Sequence, residues 1–371
     1  VFDTAYVTYG DEMISLPLGV GRRAPSYDRV DGLSIPWGPH IIVPGGRIEL
    51  DPIVTYRTNI GRRVDPSVSG TIRFGHFDQL DVWGGWGTFT NDGWIRSDLL
   101  NSLTAIGVGS DSRNYYRGDR IRAELSHRIV SGALTVTPSI GFQHDFDWST
   151  GHHVAGDEAP WSFFGRKDTL RMRRVNPEVA RGKLTSGLAS VALNYEQDQL
   201  TGRLKVTAER AFDSPRFFFA DGDASDKYTQ VTVDAKGSFP TFGLQSFEFR
   251  GHGVITGGGD APPQRFSYLG GAGTLATVDL LAFGGDRLMY VQGEYNYPLV
   301  APILPFAGAP VLSLRYAAGA AGRAELPDLI QNIGIGLGLK IVKIEYNIDP
   351  NYKNSPVTHK HAFSVGFSIS L

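Results

Sequence analysis

Residues 363–371 read Phe-Ser-Val-Gly-Phe-Ser-Ile-Ser-Leu, with Phe363, Val365, Phe367, Ile369 and Leu371 at odd positions and only serine and glycine between them. Successive side chains of a strand point to opposite faces, so this is a ribbon with one apolar face and one small polar face. Working back along the chain, the same period of two recurs with more charge. In 342–349, Val342, Ile344, Tyr346 and Ile348 oppose Lys343, Glu345, Asn347 and Asp349. In 199–209, Leu200, Gly202, Leu204, Val206 and Ala208 oppose Thr201, Arg203, Lys205, Thr207 and Glu209. Residues 120–129 set Ile121, Ala123, Leu125 and Ile129 against Arg120, Arg122, Glu124, Ser126 and Arg128; residues 289–297 set Met289, Val291, Tyr295 and Tyr297 against Tyr290, Gln292, Glu294 and Asn296.

A soluble antiparallel sandwich alternates too. Two features decide against it. The alternating stretches last about nine to fourteen residues, the length of a tilted membrane crossing, where strands of soluble proteins more often run about five or six. The connections also alternate between short and long. Short links fall near 40–45, 77–79, Ser131-Gly132, 197–199, 238–241 and 299–308. Long ones fall at 59–66, 91–114, 148–183, 213–225, 256–287, 319–331 and 350–359. Within 332–348 the apolar parity flips between Ile341 and Val342; a tight hairpin there, rather than a bulge, keeps the alternation of links. With an opening strand near 12–20, where Ile14, Leu16, Leu18 and Val20 alternate, the expected fold is an all-β transmembrane antiparallel barrel of 16 strands with long outer loops. Trp94 to Ile106 is the one stretch expected to be helical, in an outer loop.

Composition agrees. The 371 residues carry 46 glycines and 11% aromatics, suited to tight turns and interfacial girdles. A mean hydropathy of -0.15 is what alternation produces, and no run reaches the roughly 18 apolar residues of a membrane helix. The absence of cysteine excludes disulfides, thiol nucleophiles and thiolate metal sites. A net charge of -2 with interspersed signs excludes a nucleic-acid footprint. No signal peptide is visible, and Val1 is read as a processed or truncated start.

Residues 265–299, RFSYLGGAGTLATVDLLAFGGDRLMYVQGEYNYPL, resemble the signature of the surface-antigen outer-membrane barrel family that includes BamA and TamA. Phe266, Leu269, Gly270 and Gly271 match its aromatic-LGG element; Phe283, Gly285 and Asp286, then Glu294, Tyr295, Pro298 and Leu299, match its later elements. The segments SYDRVDGL and DSRNYYRGDR look like strand starts of the broader family. The resemblance implies a 16-stranded barrel and an inward-folded sixth loop, here 264–287. One position departs: Ala276 and Thr277 stand where the family has arginine and glycine, so the loop lacks the guanidinium that pairs with acidic groups of the barrel wall, and Asp286 and Arg287 are the charged alternatives for holding it. No periplasmic POTRA repeats are visible in 1–371, which reads as a single barrel domain.

Other chemistry is weaker. His152 and His153 with Asp157 and Glu158, and His359 with His361, offer ligand types without the spacing of a metal site, so none is assigned. No nucleophile elbow or ordered triad is present, and GGGDAPP at 257–263 lacks the lysine of a phosphate loop; neither an enzyme nor a cofactor is expected. The charged face, including Arg203, Lys205, Glu209, Glu248, Arg250, Arg315 and Glu345, reads as an ion-pair network in a wet lumen or as the lining of a selective channel. The expected partners are outer-membrane lipids and other envelope proteins. Three roles follow: an assembly, translocation or anchoring module; a solute pore; or a structural subunit of an envelope complex.

Overall fold

A computed structural model describes residues 14–43, 45–150, 161–163, 174–219, 222–223, 225–299, 309–339, 342–353 and 355–367. The opening residues 12–13, the His152/His153/Asp157/Glu158 cluster and the terminal residues Ser368 to Leu371 lie outside the described residues. One antiparallel sheet of 19 strand segments dominates. Three of its strands are each broken into two segments, so it runs as 16 strands joined in chain order. They begin with β1 (Ile14–Ser15 and Ser26–Asp28), β2 (Gly32–Trp37 and His40–Ile42), β3 (Ile48–Arg57), β4 (Val64–Phe74) and β5 (Asp78–Phe89). Then come β6 (Tyr116–His127 and Ile129–Ser131), β7 (Leu134–Ser149), β8 (Gly182–Gln197), β9 (Leu200–Asp213), β10 (Thr229–Pro240) and β11 (Ser246–Gly257). The last five are β12 (Arg287–Pro298), β13 (Val311–Gly322), β14 (Ile330–Leu339), β15 (Val342–Ile348) and β16 (His361–Phe367). Short turns and longer loops alternate along this order; the eight connections at the loop end, counted in chain order, start with the three-residue link 29–31 and include seven longer ones. Leu339 pairs with Val342, so the parity flip near Ile341 is a hairpin turn and not a bulge.

The opening strand departs from the expectation for 12–20. Ile14 and Ser15 pair with Ile41 and His40, after which the chain leaves the ladder in a turn at Pro17–Gly19 and regains it through Arg22–Trp37 and Ser26–Ser34. Pro17 offers no N–H to a ladder, Leu18 takes φ +54° and Gly19 φ +73°, which ends extended backbone however well the apolar residues alternate.

Exposure separates the two faces. Ile121 (62%), Ile140 (64%), Leu314 (60%) and Phe363 (65%) are open on the outward face, as lipid contact requires. The inward positions of the same strands carry buried polar groups such as Gln143, Asp145, Ser313 and Arg315. At the long-loop end, inward charges pair across strands: Arg117 donates two 2.6 Å bonds to Asp65, Arg57 also pairs with Asp65 and with Asp31, and Thr88 donates to Asp31 at 2.7 Å.

The third long loop carries helix α1 (Asp98–Val108). Ser97 caps it by accepting from the Leu100 N–H, and Gly109 ends it in a left-handed conformation with φ +66°. Its Ser102 hydroxyl accepts from the Tyr27 N–H of β1 at 3.0 Å, and its Gly107 faces the Phe367 ring of β16 so closely that a Cβ there would sit 2.7 Å from the ring. One short helix thus touches both terminal strands of the sheet.

Candidate functional site

The sixth long loop, 258–286, connects β11 to β12 and packs on the inward face of the sheet. Its base is a two-stranded ribbon in which Ser267, Tyr268 and Leu269 pair with Gly285, Gly284 and Phe283. Its tip, 270–282, closes on itself: the Gly271 N–H donates to the Leu275 and Val278 carbonyls, and Thr274 Oγ1 accepts from the Gly270 N–H at 3.0 Å. Gly270 (φ +127°) and Gly271 (φ +83°) make this turn possible, and a Cβ at Gly270 would lie 2.0 Å from the Asp279 carbonyl oxygen. The glycines of the LGG element therefore have a steric reason. Leu269, Leu275 and Val278 are buried against Val254 of β11, Leu288 and Tyr290 of β12, and Ala317 and Ala321 of β13; Phe283 packs at the margin. Burying such side chains supplies the drive for the loop to leave water.

Directional contacts fix the tip. Arg96 of the third loop donates to the Ala272 carbonyl at 2.8 Å, Arg250 of β11 to Gly273 at 3.5 Å, and Arg315 of β13 to Thr274. Asn332 of β14 accepts from the Thr277 N–H at 3.1 Å and donates to its hydroxyl at 2.7 Å. Loop 349–360 adds a bridge between Thr358 and Val278, and His359 Nε2 lies 2.9 Å from the Asp279 carboxylate. His361 instead meets the Tyr346 hydroxyl at 2.9 Å, so the two histidines are drawn apart.

The base holds the larger correction. Ala276 and Thr277 carry no charge, but the same loop supplies Arg265, which is 6% exposed. Its guanidinium meets Asp145 of β7 at 2.7 Å and both carboxylate oxygens of Glu209 of β9 at 3.0 and 3.1 Å, with Asp147 at 4.0 Å. A loop arginine on acidic wall groups is therefore present, displaced toward the amino-terminal side of the motif. Of the two alternatives named from sequence, Asp286 accepts from the Ala261 and Ala324 N–H groups at 3.2 and 3.4 Å, whereas Arg287 Nε has no hydrogen-bond partner among the described residues. Asp92 joins the third loop to the ribbon by accepting from the Asn114 N–H at 2.8 Å and the Tyr268 N–H at 3.2 Å. Burial pushes its carboxyl up to about 7.

The remaining residues divide by face. Glu294 points inward to Lys343, which also meets Glu345 at 2.9 Å; Arg315 lies 3.5 Å from Glu345. Tyr295 points outward and places its hydroxyl 3.2 Å from Thr241 in a short turn. Phe266 is buried next to Arg265. Glu248 binds Asn296 at 3.0 Å. Arg203 and Lys205 do not join the expected ion-pair network: among the described residues neither has a carboxylate within salt-bridge distance, Arg203 standing opposite Lys236 and Lys205 opposite Asp234, whose carboxylate meets His252 instead. Arg265, Asp145, Arg96, Tyr290 and Asn332 were not legible as site residues; the one local signal was an arginine directly before the aromatic of the LGG element.

With an inward sixth loop on a 16-stranded sheet, the chain is similar in fold to solved barrels. CdiB from Escherichia coli superimposes at TM-score 0.53, with 13% identity over 94% of this chain and 61% of that one. BamA from Haemophilus ducreyi lacking POTRA domains 1-3 gives TM-score 0.56, 14% identity, 93% and 69%; CdiB from Acinetobacter baumannii gives 0.53, 13%, 92% and 57%. The fold is that of the BamA and CdiB barrels. The BamA-like chain spans 61% of the length of the first of these structures. No family model and no curated protein sequence matches the chain. The BamA-like fold thus rests on shape, register and loop placement.

Proposed function

We propose that this chain is a non-enzymatic barrel of the bacterial outer membrane that serves as an assembly, translocation or anchoring module within an envelope complex. The observation that carries this reading is the sixth loop, seated on the inner wall by Arg265 at its base and by Arg96, Arg250 and Arg315 at its tip. A wall built to grip a loop backbone keeps the interior preorganised while leaving the short-turn half of the inner face accessible at Arg203, Lys205, Lys236 and Glu248. The long-loop end is packed with buried ion pairs and loops, which favours this reading over an open solute pore.

A photocrosslinking residue at Ser238, inward on β10, tests it in living cells. Adducts with envelope polypeptides at Ser238, and none at the outward Leu314, are expected. Absence of polypeptide adducts at Ser238, together with a large steady conductance of the purified barrel in planar bilayers, would replace the proposal with the pore.

A further inference from the structure

Many charges on the inner wall have an opposite partner: Arg120 with Asp145, Arg265 with Glu209, Arg117 with Asp65, Lys343 with Glu294 and Glu345. One row does not. Cross-strand register sets Arg203 of β9 opposite Lys236 of β10, and Lys236 opposite Arg250 of β11. Lys205 follows one inward position further along β9, opposite Asp234 of β10. Like charges directly opposite each other destabilise a sheet, so folding alone gives no reason for this row.

Of the nearby carboxylates, Glu248 accepts from Asn296, and two more are engaged with other groups. Asp234 lies 2.7 Å from the imidazole of His252, which stacks on Trp94, and Glu124 is paired with Arg122 at 2.6 Å. Arg250 is held by the Trp94 and Gly273 carbonyls, fixing the far edge of the row. Arg203, Lys205 and Lys236 remain exposed toward the short-turn half of the lumen, with no salt-bridge partner among the described residues.

We infer that the inner wall at β9–β11 holds a binding site for a multivalent phosphate-bearing anion. The like-charge row Arg203, Lys236 and Arg250, with Lys205 beside it, matches a ligand that concentrates charge, and a phosphate group carries about -1.5 to -2 at neutral pH where a carboxylate carries one. The guanidinium fork of Arg203 suits phosphate oxygens, and the two ammonium groups supply point charges on either side. Arg203, Lys205 and Lys236 are exposed near the short turns, so the ligand approaches from the short-turn side.

The experiment titrates the folded barrel in detergent with inorganic tripolyphosphate and, in a second arm, with a short-chain phosphatidic acid, read by calorimetry. Saturable binding that weakens with salt is expected in at least one arm; the stronger arm distinguishes a free phosphate from a lipid headgroup. The double variant Arg203→Gln/Lys236→Gln should weaken it by about tenfold or more, about 1.4 kcal/mol or above. The same variant should keep the heat-modifiable electrophoretic shift and unfold at the same or higher urea concentration, because it relieves repulsion. Arg73→Gln, on the inner wall next to Glu49, should bind as the parent does. No binding in either arm, equal binding by the double variant, or equal loss in Arg73→Gln overturns the site.

Discussion

Replacing Arg265 by methionine keeps length and removes the one cation that touches three carboxylates of the wall. Asp145 retains Arg120 at 2.8 Å, but Glu209 loses the Nε–H shared by both its oxygens and Asp147, 0% exposed, loses the guanidinium 4.0 Å away. Removing one member of a buried ion pair costs about 3 to 5 kcal/mol, most of it from the charge left behind, so Arg265→Met should lower unfolding stability by that amount. Arg265→Lys should fall between, keeping charge without the fork. Adding Glu209→Gln and Asp147→Asn to Arg265→Met should recover most of the loss, since the uncompensated charges are then gone. Urea unfolding in lipid vesicles, followed by tryptophan fluorescence and electrophoretic heat-modifiability, measures all three. An Arg265→Met barrel within about 1 kcal/mol of the parent would refute the claim that this arginine anchors the loop base.

Four further outcomes are expected. Arginine at Leu314 or Ile344 should cost about 2 to 4 kcal/mol, and arginine at the inward Thr207 far less, in vesicle refolding yields; equal costs would reverse the assignment of faces. Chymotrypsin should leave 272–284 intact in the folded barrel and cut it after urea treatment, as shown by mass spectrometry of the fragments; cleavage in the folded state contradicts the seated loop. The Asp92 carboxyl, about 7 when folded against an ordinary value of 3.8, binds a proton in the folded state between those values, so its contribution falls as pH rises from about 4 to 7. Asp92→Asn should flatten that slope in urea midpoints, and an unchanged slope would remove Asp92 as its source. Cysteines at Leu193 and Leu204, register partners of β8 and β9, should crosslink in the membrane. Pairs joining Ser15 to Ser364 or Gly366 should also crosslink if β1 and β16 meet; failure at every register, with the control intact, removes that closure.

The strands were legible because lipid and lumen impose opposite demands on alternate residues, which even the hairpin at 339–342 obeys. The opening strand misled for the same reason: Ile14, Leu16, Leu18 and Val20 alternate, yet Pro17 and Gly19 spoil the backbone beneath them. The inward loop was expected only through the resemblance that the LGG element carries; the steric need of its glycines is a local matter that the fold reveals. The anchors were not, since Arg265 meets Asp145 and Glu209 across 120 and 56 residues of sequence, and no local pattern records such a pairing. Arg203 and Lys205 misled because alternation reports the face of a charge and not its company.

The helix that touches both terminal strands bears on how this chain finds its final shape. A direct meeting of Tyr27 with Phe367 must join residues at opposite ends of the chain, whereas Tyr27 and Ser102 are separated by only 75 positions. Loop-closure entropy grows with separation, so the nearer contact forms at lower entropic cost and leaves a docked helix waiting for the last strand. The first strand need not remain untethered until the last strand arrives. α1 acts as a splint carried inside the chain, set early and used late, and the barrel's two most distant strands are brought to a common template before either has to recognise the other.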